Sequence, residues 1–313
     1  MGILDNYSIA FPARDAFYHG LSREFYDAFN EFRSVFDTAS HFMNENLYEV
    51  AYENPKIKPE LHTVCLITHC IALYKLLLMH IKKPHAAIGF SQGEFAAVSA
   101  AGSVPFPGVL KLVYELELLL INDTAIKNGS MVRVMELDRE TLHECCNYVD
   151  PSEESITLSI TYSQNQNVVS GRSDKIKELS KLAKEKGARW VIPLDGGGSF
   201  HSPLCRDILK TSGQIFDRYQ FQDAVYAVFS CVDGKMTTDG KSIKEKLSQQ
   251  IAMPIVWDTL VKNQKEYGSN CILELGPGCT ISGNTRIIDD SIICQWINEM
   301  SDFENIIKIT EKL

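Results

Sequence analysis

The pentapeptide Gly89-Phe90-Ser91-Gln92-Gly93 is the stretch of this chain best suited to covalent chemistry. It has the G-x-S-x-G form in which a serine hydroxyl is presented as a nucleophile. The apolar run 85–90 precedes it and the alanine-rich run 92–101 follows, so the serine falls on a sharp strand-to-helix turn. Such a turn lifts Oγ clear of the backbone, and glycines on either side remove Cβ atoms that would clash with neighbouring elements. The N-terminus of the following helix offers unpaired N–H groups and a partial positive charge to a developing oxyanion. The backbone N–H of Gln92 is the natural donor. The inert alternative is a glycine-bracketed turn that only packs tightly; the strand before it and the helix after it favour catalysis.

A serine nucleophile needs a base. Among the histidines, His62, His69 and His80 fall on a long apolar helix and read as core or partly exposed residues. His85 begins the strand that leads to the serine, at its wrong end, and His143 belongs to a different unit of the chain. His19, in the first loop, and His201, in the segment Gly196-Gly197-Gly198-Ser199-Phe200-His201-Ser202-Pro203-Leu204, are both able to approach the serine. Spacing alone does not choose between them.

The elements that must position these groups can be read from periodicity. Residues 7–12 read as a first strand. Residues 22–45 carry Phe25, Phe29, Phe32 and Phe36 at helical spacing, and residues 59–82 form a long apolar helix ending before Pro84. A helix is expected over about 109–127. The stretch 131–194 then reads strand, helix (138–149, with Asp138 as N-cap), strand (155–163), strand (167–171), helix (173–187), strand (188–194). That β-α-β-β-α-β order over about 65 residues is the pattern of a ferredoxin-like unit. It is expected as an insertion at 128–197 in a core made of 1–127 and 198–313. Strands at 224–232, 270–276 and 291–296 and a helix at 241–253 complete the core. Strands alternating with helices imply an α/β fold with a mainly parallel sheet.

The 313 residues, 45% hydrophobic and 23% charged, have ordinary globular composition for a large domain with an insertion. The net charge of −9 and the scattered lysines and arginines argue against nucleic acid as a partner. Nine cysteines without a C-x-x-C pair suggest free thiols in a reducing cytoplasm, and no metal-ligand pattern is present. The N-terminus lacks the layout of a secretory signal. The most apolar stretch, 65–81, contains His69, Lys75 and His80 and reads as a buried helix, not a membrane span.

With these residues in view, the chain resembles the malonyl-CoA:acyl-carrier-protein acyltransferases, including discrete acyltransferases of polyketide pathways. The resemblance rests on G-F-S-Q-G-E-F-A-A, on S-F-H-S-P-L with its histidine 110 residues after the serine, on L-E-L-G-P-G at 273–278, on Phe11-Pro12 after the first strand, and on the ferredoxin-like insertion. It implies an α/β hydrolase-like core and a Ser-His dyad of Ser91 and His201. The histidine would be oriented by a backbone carbonyl near Met253 to Trp257, and no acidic residue or cofactor would be required. It implies acyl thioesters of an acyl carrier protein bearing phosphopantetheine, with acyl-CoA as a further donor.

Three departures bear on the substrate. The family's opening loop, F-P-G-Q-G-S-Q, here reads Phe11-Pro12-Ala13-Arg14-Asp15-Ala16-Phe17, so Arg14 stands where the glutamine supplies a second oxyanion N–H. Malonyl-specific members carry an arginine 25 residues beyond the serine, and ungapped counting puts Leu116 there. A carboxylate facing Leu116 would lose charged hydrogen bonds of about 1.5–3 kcal/mol each. Thr63 replaces the glutamine of the long helix. These losses favour a pocket for uncharged acyl groups, narrowed by Phe200, and a transferase or acyl-carrier-protein hydrolase of antibiotic-type polyketide biosynthesis. Malonyl transfer, with Arg14 as the replacement cation, is the alternative, although Arg14 also reads as a surface partner of Asp15. A non-catalytic component of a synthase complex and an ordinary α/β-hydrolase, with Asp195 as a candidate acid, are further readings.

Overall fold

The fully buried strand β1 (Tyr7–Phe11) leads into α1 (Arg23–Ala28) and α2 (Asn30–Met43) in a computed structural model that describes residues 4–54, 58–194 and 198–311. The single helix expected over 22–45 is thus two, because Phe29 is extended (φ −117°, ψ 121°). The amphipathic α2 buries Phe32, Val35, Phe36 and Ala39, spaced as one helical face. The long apolar helix, α3 (His62–Leu77), is buried nearly all round. With the single turn before it, it is long and apolar enough to cross a membrane by length and composition, yet it packs inside the core against α2 and two later helices. Next come β2 (Ala86–Gly89), α4 (Gly93–Ala100), α5 (Phe106–Asn122) and the short α6 (Thr124–Lys127).

The following segment is β3 (Gly129–Met135), α7 (Arg139–Val149), β4 (Ile156–Ser163), β5 (Gln166–Arg172), α8 (Ser173–Glu185) and β6 (Trp190–Leu194). Its four strands form a separate antiparallel sheet in the order β4-β5-β3-β6, as the β-α-β-β-α-β reading requires. Asp138 caps α7 by accepting from the Thr141 N–H at 2.9 Å. Strand alternation divides β3 between two environments. Val132 and Val134 pack into the small core under α7 and α8, whereas Met131 and Arg133 line a cleft on the opposite face.

The chain returns through α9 (Leu209–Phe216), β7 (Ala227–Phe229), β8 (Met236–Thr237), α10 (Gly240–Gln249), α11 (Trp257–Glu266), β9 (Cys271–Leu275), α12 (Thr280–Ile288), β10 (Ile293–Ile297) and α13 (Met300–Glu311). The main sheet has the order β10-β9-β1-β2-β7-β8, parallel except for the short edge pair β7–β8. Its central strands are buried on both faces, which is why they read as unbroken apolar runs and not as alternation.

A backbone bridge at Ile255 ties the small sheet to the main body. Ile255 donates to Ser159 O at 2.8 Å and accepts from Thr161 N–H at 2.9 Å. Beside that bridge, Asp258 accepts from Arg139 at 2.6 Å and from the Thr161 hydroxyl at 2.9 Å. This clamp sets the width of the cleft between the two sheets.

Candidate active site

The turn at Ser91 has the geometry that its glycines imply. Ser91 takes φ +52°, a left-handed conformation that non-glycine residues adopt at a cost. A Cβ on Gly89 would lie 2.2 Å from the backbone of Gly93, and one on Gly93 would lie 2.1 Å from Phe11 O. Phe90 N–H donates to Phe11 O at 2.9 Å, anchoring the turn to the end of β1. Gly93 N–H donates to Phe90 O and Glu94 N–H to Ser91 O, both at 2.9 Å, and the N–H of Gln92 meets no acceptor among the described residues. The N–H of Arg14 is likewise without one, and both residues border the same cleft.

His201, not His19, reaches the serine. Its Nε2 lies 2.8 Å from Ser91 Oγ. His19 is exposed on its loop, and His85 stacks on Tyr267 with ring centroids 4.5 Å apart. Nδ1 of His201 lies 2.9 Å from Gln250 O and 3.2 Å from Met253 O. Both are acceptors, so Nδ1 carries the proton and Nε2 is left to accept from the serine hydroxyl. Met253 lies in the expected carbonyl segment; Gln250 lies three residues before it. His201 is 2% exposed, and this burial lowers its pKa, with the two carbonyls partly opposing. A neutral imidazole at the end of a serine hydroxyl is an arrangement that can withdraw its proton as the oxygen attacks. Asp195, the candidate acid of the hydrolase alternative, lies outside the described residues, as do Gly196 and Gly197.

Beneath the turn lies a polar network that sequence reasoning missed. The Gln250 side chain donates to Ser91 O at 3.0 Å and to Glu94 Oε2 at 2.6 Å, so one residue holds the serine's backbone and the histidine's ring together. Glu94 faces inward from the first turn of α4. It is fully enclosed, also accepts from Cys231 N–H at 3.1 Å, and burial raises its pKa to about 7.

Above the turn opens a cleft of about 510 Å³, bounded by Ser91, His201, Phe90, Phe200, Tyr162 and Met131, with Arg14 and Arg133 on its walls. Phe200 lines this cleft beside His201. Arg14 is not a partner of Asp15: its guanidinium lies 3.5 Å from Glu117 and 5.1 Å from the Phe200 ring centroid. Leu116 does not face this cleft; it lines a separate small cavity with Phe95, Leu120 and Phe216. The next residue, Glu117, points at the site instead. It is 1% exposed and accepts from Gln92 Nε2 and, at 2.8 Å, from Thr63 Oγ1. One residue along a helix is a turn of about 100°, so counting along the chain locates the helix but not its phase. Arg133 was missed because its significance depends on the β3 face that it shares with Met131.

A serine on a strand-to-helix turn, a histidine held by backbone carbonyls and a ferredoxin-like unit beside the cleft are the parts that acyl transfer through a serine ester requires. No protein-family model matches the chain. It is 26% identical over 282 residues to the malonyl CoA-acyl carrier protein transacylase of Bacillus subtilis (strain 168), covering 89% of each chain. It is also 26% identical over 298 residues to the protein of that name from Staphylococcus aureus (strain MRSA252), covering 94% of this chain and 96% of the other. Among solved structures, that of the Streptococcus pneumoniae enzyme matches with a TM-score of 0.92 at 22% identity, over 98% of this chain and all of the other. A malonyl-transacylase solved in complex with a type II polyketide synthase acyl-carrier protein matches with a TM-score of 0.91 at 22% identity, over 97% and 99%. The chain is thus similar over nearly its whole length to malonyl CoA-acyl carrier protein transacylases and shares their fold.

Proposed function

We propose that this protein transfers an acyl group between thioesters of coenzyme A and of an acyl carrier protein through an ester on Ser91, and that the group is malonyl. Ser91 Oγ attacks the thioester carbonyl as His201 Nε2 takes the hydroxyl proton. The oxyanion is held by the N–H groups of Gln92 and Arg14. Collapse breaks the C–S bond, and the departing thiolate takes the proton from His201. The phosphopantetheine thiol of the carrier protein then attacks the ester by the same steps in reverse, restoring Ser91. The observation that carries this reading is the 2.8 Å approach of Ser91 Oγ to His201 Nε2 at the floor of the cleft.

Two facts support malonyl over the uncharged acyl groups that the departures at 14 and 116 suggested. The relatives described above are named for malonyl transfer. The cleft also has arginines on two walls, so the absence of one at 116 does not leave it without a cation. The test is intact-mass measurement of the protein and of holo carrier protein after mixing with malonyl-CoA or acetyl-CoA. Malonyl added to Ser91 within seconds and then passed to the carrier is the expected result. Loss of acetyl from a pre-loaded carrier with no uptake of malonyl would sink the reading.

A second reading, removal of uncharged acyl groups from the carrier by water, is favoured by the pairing of Arg14 with Glu117, which satisfies one of the two cations before any substrate arrives. A fluorophosphonate that labels wild type and Ser91→Ala equally would instead support a non-catalytic role.

A further inference from the structure

Arg133 stands apart from the other charged groups around the cleft. It lies on β3, two residues after Met131 and therefore on the same face, and both side chains border the cavity that contains Ser91. Its guanidinium carbon sits 5.1 Å from the centroid of the Tyr162 ring. Tyr162 stacks on Phe90, the residue before the serine, with planes 2° apart and centroids 5.7 Å apart. Phe90 meets Trp257 edge-on at 5.1 Å. This aromatic wall lies against the guanidinium, whose planar fork is suited to two parallel hydrogen bonds.

The charge of Arg133 meets the Tyr162 hydroxyl but no carboxylate among the described residues. Its Nε is buried without a hydrogen-bond partner, and no ion pair joins it to a carboxylate among the described residues. Asp15 lies elsewhere on the same cleft and forms no ion pair with it. Arg14, by contrast, is held by Glu117. A buried donor of a charged group that no partner meets is costly, and the cost is relieved when an anion enters the site.

We infer that Arg133, on the inserted sheet, is the residue that grips the carboxylate of the acyl group and sets the preference for carboxylated over simple acyl chains. This rests on the malonyl reading above and goes beyond it in naming the residue and the wall. The carboxylate would arrive between the guanidinium and the serine ester, opposite the helix that carries Leu116. The ammonium of a lysine keeps the charge but loses the fork.

The experiment compares wild type, Arg133→Met and Arg133→Lys as acceptors of malonyl from malonyl-CoA and of acetyl from acetyl-CoA. Acylation of Ser91 is followed by intact mass, and kcat/KM is obtained for each donor. Wild type should prefer malonyl. Arg133→Met should lower the malonyl-to-acetyl ratio by roughly 10- to 100-fold, the worth of a charged hydrogen bond, and Arg133→Lys should fall between. An equal fall for both donors places the contact on the shared phosphate-bearing coenzyme arm and overturns the inference. So does an unchanged ratio while wild type still prefers malonyl. A wild-type preference for acetyl removes the malonyl reading itself and is recognised without any variant. If Arg133→Met does not melt cooperatively, the ratio measured on Arg133→Lys and Arg133→Gln decides in the same way.

Discussion

Glu94 and Gln250 share a buried 2.6 Å hydrogen bond directly beneath Ser91, with the glutamine amide as donor. The same amide reaches Ser91 O, and the backbone carbonyl of Gln250 accepts from His201. Ser91 and His201 are thus held from below by one residue, Gln250, whose side chain also meets a carboxyl group removed from water.

That carboxyl group makes stability depend on pH. Burial raises the Glu94 pKa from 4.5 to about 7, so between those values the folded protein binds more protons than the unfolded chain. Stability from this site is therefore full below pH 4.5 and is lost as pH rises toward 7. His69 and His201, whose pKa values burial lowers, act in the opposite sense. Glu94→Gln isolates the carboxyl effect. Its unfolding free energy relative to wild type should climb by on the order of 3 kcal/mol between pH 4.5 and 7. Urea titrations at a series of pH values would show this, and a flat difference would contradict it.

The base should be active well into mildly acidic solution. His201 must be neutral to accept the serine proton, and its pKa is held below 6.5 by burial. The rate of Ser91 acylation should rise with pH to a plateau, with the midpoint of the acid limb below 6.5. Stopped-flow measurement with an activated ester reads this directly. His201→Ala should abolish the limb and lower the rate by about 10²–10⁴-fold.

The two glycines of the turn tolerate no side chain. Gly93→Ala would drive its Cβ into Phe11 O of the central strand. The expected result is a loss of about 3 kcal/mol or more, seen as a lower denaturant midpoint and lost labelling of Ser91 by a fluorophosphonate.

Glu117 is predicted to restrain Arg14. In Glu117→Gln the amide keeps a partner for Thr63 but no longer neutralises the guanidinium. The cleft gains one effective positive charge, so selectivity for malonyl over acetyl should rise roughly fivefold, about 1 kcal/mol at the intermediate dielectric of such a site. Competition between the two CoA esters, read by mass, gives the ratio; a fall would show that Glu117 aids carboxylate binding.

Much of this was legible in the amino-acid order. Gly89 and Gly93 around Ser91, the apolar run before it and the alanine-rich run after it report a sharp strand-to-helix turn because strand, turn and helix signals are local. The β-α-β-β-α-β unit was legible for the same reason, since the strand and helix periods of 131–194 alternate cleanly. Helices α9, α11, α12 and α13 were passed over; they follow shorter and less regular apolar patterns whose partners are distant in the chain.

The order of residues could not show which groups meet across the cleft. His201 comes to Ser91 from 110 residues away, and without a family resemblance His19 was an equal candidate. Glu117 rather than Leu116 faces the site because helix phase is settled by packing against α3 and α9. Arg133 matters only because strand alternation turns it toward the cleft and the clamp at Ile255 and Asp258 brings that face over the serine. Local chemistry follows from neighbours in sequence. Contacts between side chains on separate elements follow from burial and packing, which only the folded chain establishes.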